Sequence, residues 1–211
     1  MIIDGKKEAE VLREEIKKEI ISIKKKTNKV PGLAVILIGD HLPSQIYVKN
    51  KEKSSKEVGI NSNVIKYPND VSEEDVLKKI KELNNDNSVS GILVQLPLPD
   101  QIRQERIINL IEPSKDVDGF SPINVGNLAS GYNGIVPCTP KGCLMLIKKI
   151  EKNLSGKHAV IIGRSNLNGK PIAQLLLKEN CTITIAHSKT ENLKEKCLKA
   201  DILVAAVGVA N

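Results

Sequence analysis

Apolar and polar residues along this chain follow two rhythms that take turns. Residues 5–26 repeat apolar side chains at helical spacing, with Ala9, Leu12, Ile16, Ile20 and Ile23 forming one stripe. Leu33-Ala-Val-Ile-Leu-Ile38 is instead a continuous apolar run ending at Gly39, the pattern of a strand buried on both faces. A helix then runs from about Ser44, its expected N-cap, to Val58. A short strand over 63–67, a helix marked by Val76, Ile80 and Leu83, a strand over 91–96 and a helix near 102–111 follow. Residues 112–139 are rich in Pro, Gly, Asn and Ser and read as an irregular, cleft-forming segment. Thr139-Pro140 reads as the cap and first position of a helix with Leu144, Ile147 and Ile150 on its apolar side. Strands over 158–162, 182–186 and 201–207, separated by two helices, complete the pattern. Repeated βαβ units predict an α/β fold of two lobes with parallel sheets, divided as 1–138 and 139–211.

Composition sharpens this picture. The chain has one Phe, three Tyr and no Trp, so its cores must be built from Ile, Leu and Val. The net charge is +7, but the densest basic run, Lys24-Lys25-Lys26, has no interleaved aromatics. It reads as a solvated helix end that suits the dipole, not as a nucleic-acid patch. Cys138, Cys143, Cys181 and Cys197 show no metal-ligand spacing and are expected to be small buried residues in a reducing compartment. No metal is therefore expected. The first residues carry no basic region ahead of an apolar run, and no stretch approaches the length of a membrane span. A cytoplasmic location without a membrane partner is the expectation.

Candidate chemistry gathers at the predicted strand ends. Gly91-Ile-Leu-Val-Gln-Leu-Pro-Leu-Pro99 ends an apolar run in one amide, Gln95, and breaks at prolines that cannot continue a ladder. Open α/β sheets place ligands at such ends. Tyr47 and Lys51, four apart, share a face of the helix that leaves the preceding strand. Alone such a pair is a surface feature; a phenol, an ammonium and an amide at one sheet edge exceed what packing requires. Lys115-Asp-Val-Asp-Gly-Phe120 adds two aspartates, Asp116 and Asp118, of which Asp116 could pair with Lys115 or cap the turn.

In the second lobe the 158–162 strand runs into Gly163-Arg-Ser-Asn-Leu-Asn-Gly169 and then a helix. Strand, glycine turn and helix form a phosphate-binding context, although Ser165 replaces the middle glycine of G-x-G-x-x-G and the last glycine comes one residue late. A bare glycine-rich turn is the alternative. NAD enzymes place an acid after the second strand. Here His187-Ser188-Lys189-Thr190 holds none until Glu191. Ser188, Lys189 and Arg164 could cradle a ribose phosphate, so NADP is the expected cofactor, held by Gly163, Arg164, Ser165, Gly169, Ser188 and Lys189.

Seven segments together resemble the bifunctional methylenetetrahydrofolate dehydrogenase/methenyltetrahydrofolate cyclohydrolase family. They are I-I-D-G-K at 2–6, S-x-x-Y-V-K-N-K at 44–51, G-I-L-V-Q-L-P-L-P at 91–99, K-D-V-D-G-F at 115–120, N-V-G at 124–126, P-C-T-P-K-G at 137–142 and G-R-S-N-L-N-G-K-P at 163–171. The resemblance implies hydride transfer from methylenetetrahydrofolate to NADP, followed by hydrolysis of the methenyl product to formyltetrahydrofolate. It implies Lys51 as the key catalytic residue and Gln95 as its hydrogen-bond partner. Tyr47 would be a stacking surface and Asp118 the carboxylate that grips the pterin. A free lysine titrates near ~10.4, so base chemistry would need desolvation or a cationic neighbour. The resemblance also implies a homodimer. Two departures stand out: Asn168 replaces a small apolar residue, and the family pattern continues past Asn211. A truncated cofactor lobe is therefore expected. A non-catalytic folate-binding fragment and another two-lobed dehydrogenase, such as one acting on a small hydroxy acid, are the competing readings.

Overall fold

The computed structural model of the chain describes residues 2–208. The chain divides into two compact units between Val117 and Asp118.

The first unit runs α1 (Gly5–Thr27), β1 (Gly32–Ile38), α2 (Leu42–Val58), β2 (Asn61–Tyr67), α3 (Glu73–Asn85), β3 (Gly91–Val94) and α4 (Gln104–Leu110). Its sheet is parallel in the order β2-β1-β3. One crossover steps outward from β1 to β2, and the next returns past β1 to β3. Right-handed connections then put α2 and α3 on opposite faces. The core follows: Ala34, Ile36 and Ile38 of β1 pack with Val76, Ile80 and Leu83 of α3 and with Ile107 of α4. Val35, Leu37 and Leu93 face Val48 of α2. A central strand apolar on both sides is the consequence.

Helix termini carry their own logic. Asp4 caps α1 by accepting from the N–H groups of Lys6 and Lys7. Ser72 caps α3, accepting from Asp75 N at 3.1 Å. Ser44 is not the cap expected for α2. His41 holds that position, Pro43 enters the first turn, and Ser44 lies buried inside the helix at 3% exposure. The α1 stripe is also narrower than its spacing suggests: Ile20 is buried, whereas Ile23 is exposed.

The second unit runs α5 (Pro122–Ala129), α6 (Cys138–Ile150), β4 (His158–Ile162), α7 (Gly169–Lys178), β5 (Thr182–Ala186), α8 (Leu193–Leu198) and β6 (Ile202–Ala205). Its sheet repeats the first topology in the order β5-β4-β6, all parallel. Ala159 and Ile161 pack under Ile172, Ala173 and Leu176 of α7, with Leu144 and Ile147 of α6 against them.

Several expectations change here. Residues 112–139 contain α5, begun by Pro122 after Ser121 accepts from Asn124 N. Because α5 packs against α7, the contacts place residues from 118 onward in the second unit, ahead of the 138/139 boundary read from sequence. Helix α6 starts at Cys138 with Pro137 as its cap residue, so Thr139 is not the cap, and Ile150 is exposed. Of the cysteines, only Cys181 is buried; Cys138 is exposed and the other two are half-buried. Burial pushes the Cys181 thiol up from its ordinary value. No described helix is long and apolar enough to cross a membrane.

Candidate active site and cofactor loop

Topology selects the edge where chemistry can occur. In the first unit the chain leaves β1 toward one side and leaves β3 next to it, so their carboxyl ends form a switch point. Strand β3 ends at Val94, shorter than the 91–96 expected, because Pro97 cannot donate to a ladder. Gln95 N still donates to Ile36 O at 2.9 Å, which holds that residue at the mouth of the sheet. Its side chain is then fixed from both ends. Gln95 Nε2 donates to Leu96 O at 2.8 Å, so Oε1 faces outward and accepts from Lys51 Nζ at 3.0 Å. Lys51 is half-buried on α2. An ammonium has three donors, and this is the single hydrogen bond Lys51 makes among the described residues. Tyr47 stands one turn earlier on the same helix, 62% exposed, a ring free to lie against a flat ligand.

Two side chains to which the sequence reading gave no part in the site, His41 and the expected cap Ser44, complete this corner. Ser44 Oγ donates to Leu96 O at 3.4 Å and lies 2.9 Å from His41 Nδ1. The spacing of His41 and Ser44, three apart at a helix start, was the available signal.

The K-D-V-D-G-F segment resolves the two aspartates. Lys115 does not pair with Asp116: its ammonium donates to the carbonyls of Leu83, Asn84 and Asp86 at the end of α3. Asp116 is buried at 3% and lies beside Ile92 in a short parallel bridge, a structural position. Asp118 opens the second unit, half-buried, one residue ahead of Gly119 with φ +68°. A Cβ on Gly119 would sit 2.7 Å from Ile135 O, so the turn requires glycine.

The second unit's switch point lies between β4 and β6. Gly163 has φ +120°, and a Cβ there would sit 2.4 Å from Ala206 O. Gly169 backs directly onto it, with a Cβ position 2.2 Å from Gly163 O. Both glycines are therefore demanded by backbone contact. Ser165 explains the missing middle glycine: its hydroxyl accepts from Asn168 N at 3.1 Å and Gly169 N at 3.3 Å, while its carbonyl accepts from Lys170 N. The first N–H groups of α7 are thus occupied by the loop itself, and Pro171 has none. The N–H groups of Arg164, Ser165, Asn166 and Leu167 make no hydrogen bond among the described residues. They are the donors left for an anion. Arg164 is exposed beside them. After β5, Ser188 and Lys189 are exposed on a turn closed by His187 N donating to Thr190 Oγ1 at 2.8 Å. Donors, cations and an absent carboxylate fit a dinucleotide bearing an extra phosphate. No group of three or more potential metal ligands occurs among the described residues.

Comparison with known proteins decides the family. The profile described as "Tetrahydrofolate dehydrogenase/cyclohydrolase, catalytic domain" matches residues 3–118, and the one described as "Tetrahydrofolate dehydrogenase/cyclohydrolase, NAD(P)-binding domain" matches 137–211. The chain belongs to this family. A curated relative from Pelagibacter ubique, named bifunctional protein FolD, is 65% identical over 209 residues, covering 99% of this chain and 74% of the relative. A Wolbachia protein of the same name is 55% identical over 212 residues, 100% of this chain and 73% of its own length. Among solved structures, the bifunctional FolD of Campylobacter jejuni superposes with a TM-score of 0.96 at 45% identity, covering 99% of this chain and 74% of that one. The Trypanosoma brucei enzyme, crystallised with NADP cofactor and an inhibitor, gives 0.94 at 32% identity over 99% and 72% of the two chains. Within the family, the matched catalytic domain holds Lys51 and Gln95, and the matched NAD(P)-binding domain holds the Gly163–Gly169 loop.

Proposed function

We propose that this chain oxidises methylenetetrahydrofolate with NADP and hydrolyses the methenyl product to formyltetrahydrofolate. The observation that carries the reading is the Lys51–Gln95 pair at 3.0 Å, fixed at a sheet switch point inside a domain of this family. When bound, NADP supplies the hydride acceptor. The chain's own residues do the rest. Arg164, Ser188 and Lys189 bind phosphate, while Gly163 and Gly169 let the backbone approach it. Tyr47 offers a face for the pterin. Asp118 accepts from the pterin amino and ring N–H groups, a charge-assisted two-point match.

The second reaction needs little covalent help. The methenyl carbon is cationic, so water adds to it, a proton leaves and a ring C–N bond opens to the formamide. The two N–H donors of Lys51 not used on Gln95 are placed to hold water and to pass protons at Nζ. Gln95 limits the ammonium to one arc around Oε1.

Formation of NADPH from methylenetetrahydrofolate, followed at its absorbance maximum, and the decay of methenyltetrahydrofolate test the two steps. Folate binding without either reaction would favour the non-catalytic fragment instead. We further propose a cytoplasmic homodimer. Supporting it are an edge strand, β2, and the exposed Leu42 (67%) and Ile46 (53%) beside a cavity of about 360 Å³ lined also by Val64. Light scattering of the chain and of Ile46→Glu tests the dimer; a monomeric parent refutes it.

A further inference from the structure

We propose that His41 is a positioning residue for the Lys51–Gln95 pair, acting through Ser44. The inference rests on the reading that this pair carries the reaction. It begins with a buried hydroxyl. Ser44 is 3% exposed and touches two polar groups, Leu96 O at 3.4 Å and His41 Nδ1 at 2.9 Å. A serine hydroxyl has one proton. A carbonyl oxygen can only accept, so the arrangement that satisfies both contacts puts the serine proton toward Leu96 O and makes His41 Nδ1 the donor to Ser44; the imidazole is assigned that tautomer.

The reverse arrangement has a cost at the site. If Ser44 gives its proton to His41, its lone pairs face the Leu96 carbonyl and the contact turns repulsive. Leu96 O is also the acceptor of Gln95 Nε2 at 2.8 Å, the bond that turns Oε1 toward Lys51. One carbonyl thus receives two donors, and the His41 tautomer determines whether the second is present. His41 is otherwise unemployed at the helix start: it occupies the N-cap position of α2, yet its side chain accepts no backbone N–H there.

The geometry makes a discriminating substitution possible. The amide nitrogen of asparagine falls near the place of Nδ1; that of glutamine falls near Nε2. His41→Asn therefore keeps the donor to Ser44, and His41→Gln and His41→Leu lose it. The first readout needs no turnover: the side-chain amide signals of Gln95, assigned through Gln95→Ala in nitrogen–proton correlation spectra. His41→Leu and His41→Gln should move them toward the positions of a solvent-exposed glutamine and speed their exchange, and His41→Asn should restore them. The second is hydrolysis of methenyltetrahydrofolate, with kcat lowered about three- to tenfold in His41→Leu, as for one neutral hydrogen bond. KM for the folate should be unmoved, and the Asn variant should recover most of the rate. Unmoved Gln95 signals in His41→Leu, or equal behaviour of Asn and Gln, overturns the proposal. Shifted signals in a chain whose parent does not turn over would uphold the positioning and refute the assigned reaction.

Discussion

The ammonium of Lys51 lies 3.0 Å from Oε1 of Gln95, although 44 residues separate them in the chain. The contact joins the element after β1 to the residue after β3, two strands that are neighbours only because the crossover through α3 returns past β1. Lys51→Met keeps the aliphatic stem and removes every donor. Hydrolysis of methenyltetrahydrofolate should fall by at least about 100-fold, the scale of one general acid–base group. Circular dichroism and the unfolding midpoint should stay near those of the parent. Retention of most hydrolysis would remove the amine from the mechanism.

Asp118→Ala addresses binding. A carboxylate accepting from pterin N–H groups contributes on the order of 1.5–3 kcal/mol, so the folate Kd should rise about tenfold or more. Both reactions should lose kcat/KM together. Titration calorimetry with a reduced folate measures it, and an unchanged Kd would overturn the assignment. Asp116→Asn should instead alter stability, because that side chain is buried beside Ile92.

The fold was legible where burial is symmetric. Strand β4 ends where its apolar run ends, since a central parallel strand under helices leaves little room for polar side chains. The Lys51–Gln95 contact was foreshadowed by an amide at the end of an apolar run and by the i, i+4 pair Tyr47 and Lys51 on the helix leaving the preceding strand. Helix α5 was not. Its inward residues are Asn124 and Leu128, while Ile123 and Val125 are exposed, so it carries no apolar period. Only Ser121-Pro122 announced it. The part Ser165 plays in the loop was hidden for a related reason. Spacing shows that it replaces a glycine, but only the folded loop shows its hydroxyl taking the first N–H groups of α7.

Cofactor preference follows from charge. Lys189→Glu places a carboxylate on the exposed turn after β5, where a ribose phosphate would sit. The ratio of kcat/KM for NADP over NAD should fall about tenfold or more, mostly through KM for NADP. Arg164→Ala should act in the same direction. A parent enzyme with the lower KM for NAD would refute the assignment of these cations.

Acid should unlock one corner of the first unit. Glu73 accepts from the side chain and backbone N–H of Arg103 and from Arg106, and these bonds hold its carboxyl down at about 2 against an ordinary 4.5. Above the ordinary value, the folded and unfolded chains both carry the carboxylate, and its stabilisation is complete. As pH falls from about 4.5 toward 2 the unfolded chain takes up a proton that the folded chain refuses, so stability drops. Urea midpoints of the parent and of Glu73→Gln should differ above that window and converge at its lower end. A gap that stays constant with pH would dissociate Glu73 from acid unfolding.

Lys115 offers a test of how a motif residue can matter without touching a ligand. Helix α3 has no basic residue in its last turn, and of its closing carbonyls Leu83 O and Asp86 O each accept one backbone N–H, from Asp86 at 3.3 Å and Val89 at 3.1 Å. Lys115 reaches back to donate to Leu83 O at 3.0 Å and to Asn84 O and Asp86 O at 2.8 Å each. It supplies the positive charge that a helix C-terminus favours. The same residue's carbonyl accepts from Ile92 N at 2.7 Å, which binds the segment to β3. Lys115→Met keeps the stem but removes the three charge-assisted bonds, leaving Leu83 O and Asp86 O with their backbone donors only. Unfolding free energy should drop by about 1.5–3 kcal/mol, the range for hydrogen bonds to a charged group. Lys115→Arg, whose planar fork cannot meet three convergent carbonyls as an ammonium does, should recover only part of it. Equal midpoints for the parent and Lys115→Met in urea would show that solvent satisfies this helix end just as well.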